Sequence, residues 1–69
     1  MKLSARNVMK GRVTAITPGA VNVEVIIEIA PGVEVVSIIT KSSAERLSLT
    51  VGGEAYAVVK ASSVMIAVD

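Results

Sequence analysis

The sequence predicts an all-β domain, a small five-stranded β-barrel with one short helix between strands three and four. Three observations carry that prediction. Apolar residues alternate with polar ones along Val21–Ile29. Pro-Gly pairs bracket this stretch on both sides. Val, Ile and Ala make up 29 of the 69 residues, in short runs broken by Gly, Ser and Lys. Period-two alternation of β-branched residues between turn signals is the pattern of a half-buried strand.

The elements follow in order. Val21, Val23, Val25, Ile27 and Ile29 fall on one face of a strand, and Asn22, Glu24 and Glu28 on the wet face. Thr17-Pro18-Gly19 before it implies a preceding strand over roughly Asn7–Ile16, and Ala30-Pro31-Gly32 after it implies a following one over Val33–Thr40. Together they form a three-stranded antiparallel meander. The third strand is apolar on both sides, with Val33, Val35 and Ile39 on one and Val36 and Ile38 on the other. Burial on both sides in so small a chain points to a partner subunit. Lys41–Leu47 breaks the strand pattern. Ser42 followed three residues later by Glu45 fits a capping box and predicts one or two helical turns. Val51-Gly52-Gly53 is a turn, Glu54–Lys60 a fourth strand, Ala61-Ser62-Ser63 a break, and Val64–Val68 a fifth strand. Tyr56 and Val58 share one face of strand four, opposite Ala55, Ala57 and Val59. Three strands, a helix and two strands is the element order of an OB-type barrel. No repeat, linker or low-complexity tract interrupts it.

At 69 residues the chain is a single domain. Hydrophobic residues make up 52% of it, yet a monomer of this size buries only about 60% of its unfolded surface. Association with other copies would cover the excess. Cys and His are both absent, which removes thiolate chemistry, disulfides, the usual zinc sites and Ser–His hydrolysis. No carboxylate lies at a telling spacing from another, so a non-enzymatic role is expected. A net charge of +1 and a single aromatic residue, Tyr56, argue against a nucleic-acid surface. No apolar run reaches the roughly 20 residues of a membrane helix, and Ser4, Arg6 and Asn7 interrupt any signal-peptide core. The cytoplasm is the expected compartment.

Two polar runs hold most of the chemistry. Ser4-Ala5-Arg6-Asn7 lies near one end and Lys60-Ala61-Ser62-Ser63 near the other. Each places a cation beside small hydroxyl residues, and with free backbone N–H groups such a set forms a socket for an anion. The plain alternative is a charged strand end beside a Ser turn. Lys2, Lys10 and Arg12 read as a solvated strand face. In the third polar cluster, Thr40-Lys41-Ser42-Ser43, helix capping accounts for Ser42.

These motifs resemble the molbindin, or Mop, family of small molybdate-binding proteins. The resemblance rests on Ser4-Ala5-Arg6-Asn7 with Lys10-Gly11-Arg12-Val13, on Ile39–Glu45 with Leu47, and on Lys60–Ile66, and so spans nearly the whole chain. It implies that residues 1–69 form one Mop-type oxyanion-binding domain, an OB-like barrel. It also implies a cytoplasmic homo-hexamer, a trimer of dimers with oxyanions at subunit interfaces, where association brings the two end motifs together across chains. A chain standing alone resembles the storage members.

Residue by residue, Ser4 matches a hydroxyl donor and Arg6 a neighbour acting chiefly through its backbone N–H. Lys60 matches the charged contact. Ala61 and Ser62 match backbone and hydroxyl donors, and Thr40 a donor arriving from a neighbouring subunit. Ala5, Asn7 and Ser63 complete the candidate set, and Ser42 and Ser43 fit a possible secondary site. The implied ligand is molybdate or tungstate, held by hydrogen bonds with no side chain coordinating the metal and no further cofactor. Two other readings stand beside this one, an OB-type nucleic-acid-binding module and a purely structural oligomerisation domain.

Overall fold

A computed structural model describes residues 1–69. The elements are β1 (Asn7–Pro18), β2 (Asn22–Ala30), β3 (Val33–Thr40), α1 (Lys41–Arg46), β4 (Glu54–Val59) and a 3₁₀ turn over Ala61–Ser63. The strands form one antiparallel sheet in the order β3-β2-β1-β4.

β1 organises the sheet by serving two ladders with two halves of its length. Asn7–Arg12 pairs with β4, and Arg12–Pro18 pairs with β2. The register with β2 shifts between Val13 and Ala15, so Thr14 is an extra residue on β1. Such a bulge bends a strand and raises its twist, which curls the sheet into a half-barrel. Gly11 sits at the handover. A Cβ there would lie 2.5 Å from the Glu28 carbonyl oxygen and 2.7 Å from Ile27 Cγ2. Only glycine lets β1 pass this close to β2. The connector before β4 is tied to the same region, with Gly52 N–H donating to Val13 O at 2.8 Å and Val13 N–H to Gly53 O at 2.9 Å. Gly52 has φ of +89°, a conformation that costs a side chain dearly.

The core is small. Val13, Val23, Val25, Ile27 and Ala57 are the five buried residues, and none is polar or charged. Met9, Ile16, Ile29, Val35, Ile39, Ala44, Leu49 and Ala55 pack half-buried around them. Over Val23–Ile29 and Val35–Ile39 the odd-numbered residues turn inward as the alternation predicts, whereas Val21 and Val33, expected on the same faces, are exposed. The outer face of β3 stays open, since Val36 and Ile38 are each 60% exposed within the chain.

Two expectations change. The barrel has four strands and is open, not five-stranded: Val64–Val68 is not paired to the sheet. The physical cause is the 3₁₀ turn, where Ser63 N–H donates to Lys60 O at 2.9 Å and Val64 N–H to Ala61 O at 3.2 Å. It steers the chain off the sheet directly after β4. The helix cap is also different. Thr40, not Ser42, is the N-cap, and its Oγ1 accepts from Ser43 N–H at 3.1 Å. Thr40 ends β3 in extended conformation (φ −72°, ψ 154°), the geometry an N-cap needs, whereas Ser42 already lies inside the helix.

Candidate functional site

The β1–β4 ladder decides where the end motifs go. Asn7 pairs with Val59 at the ladder's outer end. Residues just before β1 therefore run beside residues just after β4. Ser4, Ala5, Arg6, Val58, Lys60 and Ala61 line one cleft of about 530 Å³. The two motifs thus meet within a single chain, and association is not needed to join them. Asn7 lies next door, lining a smaller hollow of about 370 Å³ with Arg6, Val8, Met9, Val59 and Val64.

The cleft is rich in uncommitted donors. The N–H groups of Ser4, Ala5 and Arg6 make no backbone hydrogen bond in the chain. No side-chain hydrogen bond uses the Ser4 hydroxyl, the Arg6 guanidinium or the Lys60 ammonium. The single ion pair of the chain, Lys10 Nζ to Glu54 Oε2 at 3.3 Å, is solvent-exposed and involves neither Arg6 nor Lys60. No carboxylate lines the cleft. The lining residues carry two cations, one hydroxyl and three N–H groups with no carboxylate among them, the donor types that an anion which accepts hydrogen bonds and offers none requires.

The remaining candidates divide. Ser62 and Ser63 lie in the 3₁₀ turn that follows Lys60, exposed, at the margin of the cleft and outside its lining. No side chain caps the N-terminus of that turn. Thr40, Ser42 and Ser43 stand at the opposite corner of the sheet, where Thr40 pairs with Asn22 on the far strand β3. Their hydroxyls bond one another, Thr40 Oγ1 to Ser43 Oγ at 2.9 Å and to Ser42 Oγ at 3.2 Å. Within one chain Thr40 cannot serve the cleft, so any contribution from it must come from another copy. Val58 lines the cleft unforeseen. Its signal was the period of β4, which sets Val58 and Lys60 on one face.

A TOBE domain model matches residues 3–66. The chain is 46% identical, over the full length of both proteins, to a probable molybdenum-pterin-binding protein of Haemophilus influenzae. The chain belongs to the molbindin (Mop) family of TOBE-domain proteins. Solved Mop-type structures share its fold. MopII from Clostridium pasteurianum superposes with a TM-score of 0.90 at 45% identity, covering 97% of this chain and all of that one. The cytoplasmic molybdate-binding protein ModG, solved with molybdate bound, gives a TM-score of 0.83 at 44% identity over 88% of this chain and 43% of ModG.

Proposed function

We propose that this Mop-family protein binds molybdate, and tungstate with it, at the Ser4–Arg6/Lys60–Ala61 cleft, and that it stores and buffers the oxyanion in the cytoplasm. The observation that supports the reading most directly is a cleft furnished with donors and positive charge and free of carboxylates. Molybdate is a tetrahedral dianion with acceptors only, and it matches that donor set. Each charge-assisted hydrogen bond contributes on the order of 1.5–3 kcal/mol. Micromolar affinity requires about 8 kcal/mol net, within reach of five or six such bonds. The molybdate-bound state of ModG agrees with the ligand class, and its cytoplasmic description with the compartment.

The role is binding, not catalysis. The cleft holds no His, Cys or carboxylate to move a proton, and molybdate storage needs none. The assembly we propose is a homo-hexamer, a trimer of dimers, in which Thr40 of one copy approaches the cleft of another. The apolar surface left on the single chain, including Val36, Ile38 and Val58, supports association.

Titration calorimetry with molybdate, and with sulfate as control, tests the function. Molybdate binding at micromolar concentration with sulfate binding at least tenfold weaker is the expected result. Equal affinity for the two would reduce the cleft to a general anion site, and no heat with either would remove the function.

A further inference from the structure

We infer that Val58 sets the preference of the cleft for large oxyanions over small ones, by walling one side of it with a surface that cannot replace water. This role rests on anion binding in that cleft and names the residue that discriminates there.

The donors of the cleft do not discriminate between tetrahedral dianions. Sulfate and molybdate carry the same charge, share one shape and only accept hydrogen bonds. Ser4, Arg6 and Lys60 can satisfy either. What differs is size. The same charge on a smaller tetrahedron holds its water more strongly, because the solvation energy of an ion falls as its radius grows. A surface that removes water from an anion and offers no donor in exchange therefore penalises sulfate more than molybdate.

Half of the lining residues present such a surface. Ala5, Val58 and Ala61 are apolar, and of these only Val58 has a side chain larger than a methyl group. Its place is fixed twice over. The backbone stands in register with Val8, between the Asn7–Val59 and Met9–Ala57 pairs of the ladder, and a β-branched side chain has few rotamers open to it. Alternation along β4 buries Ala57 on the inner face and sends Val58 to the side that carries Lys60. The isopropyl group and the ammonium thus line one cleft from positions two residues apart. The ammonium draws the anion in, and the isopropyl group takes water from one side of it.

Packing within the chain does not account for an apolar residue here. Val58 is 46% exposed and lies outside the buried core. Val36 is another exposed valine, on β3, and it lines no part of the cleft. The two positions therefore allow one exchange to be made inside the cleft and outside it.

Titration calorimetry of the full chain with sulfate, selenate, molybdate and tungstate tests the role. Val58→Thr keeps the branched shape and places a hydroxyl donor on the wall. The ratio of molybdate to sulfate affinity is expected to fall about tenfold, the weight of one hydrogen bond to an anion. Selenate, of intermediate size, should fall between the two, and tungstate should move with molybdate. Val58→Ala, which lets water reach that side, should lower the ratio in the same direction. Val36→Thr should leave it at the parent value. An unchanged ratio in both Val58 variants, in a protein that binds molybdate, overturns the role of Val58 and leaves anion binding in the cleft standing. An equal fall in Val36→Thr overturns it too, since the effect would then come from the apolar surface at large. A parent protein that binds neither anion removes the anion site itself, and this role with it.

Discussion

Asn7 and Val59 are the outermost pair of the β1–β4 ladder, and that pairing sets Arg6 in the same cleft as Lys60. Residues more than fifty positions apart become one electrostatic feature because two strands run antiparallel beyond the point where β2 stops pairing with β1. The cleft depends on the ladder for its shape and on two side chains for its charge, so shape and charge can be altered separately.

Lys60→Ala removes charge alone. Lys60 is exposed and its side chain makes no cap hydrogen bond, so the variant should keep its circular dichroism spectrum. Its molybdate affinity should drop about 10- to 100-fold, the loss of one charge-assisted bond of on the order of 1.5–3 kcal/mol. Calorimetry measures the drop, and an unchanged affinity would exclude Lys60 from the site.

Lys10→Ala is the matching control. Lys10 pairs with Glu54 on the surface, away from the cleft. Exposed pairs contribute roughly 0–1 kcal/mol, so both the melting temperature and the molybdate affinity should stay close to those of the parent protein.

Gly11→Ala acts on the fold. Its Cβ would meet the Glu28 backbone carbonyl at 2.5 Å, and backbone cannot give way as a side chain can. Overpacking of this kind costs about 1–3 kcal/mol, or a fall in melting temperature of roughly 10 °C for a domain this small. Thermal denaturation at fixed protein concentration reads it.

Thr40→Val removes the cap of α1, since Val has no oxygen to accept from Ser43 N–H. The expected cost is about 1 kcal/mol. Thr40→Ser keeps an acceptor in place and should recover most of it. Equal melting temperatures for the two variants would show that the cap contributes nothing.

The meander was legible because its signals are local. Alternation along Val21–Ile29 and the Pro-Gly turns specify strand boundaries within a residue or two of those found. The fifth strand was not, because a composition suited to a strand says nothing about which edge it will meet. Val64–Val68 has the right residues and no in-chain partner. The cap was misplaced by two residues because Thr40, Ser42 and Ser43 are all plausible acceptors, and only backbone geometry separates them. The two motifs that line the cleft were legible as motifs, while their meeting inside one chain followed from the register of β1 against β4, which no local pattern encodes.

Tyr56 lines two apolar hollows bounded by β3 and β4, one shared with Val35 and Val36 and the other with Ile39 and Leu49, and is 45% exposed. It is also the sole aromatic residue, in a chain without Trp or Phe. The protein thus has one intrinsic fluorophore, seated in the wall of the gap between the terminal strands β3 and β4. Anything that enters that gap displaces water from the phenol ring, so tyrosine emission and its accessibility to a neutral quencher give a label-free optical gauge of whether the gap is open.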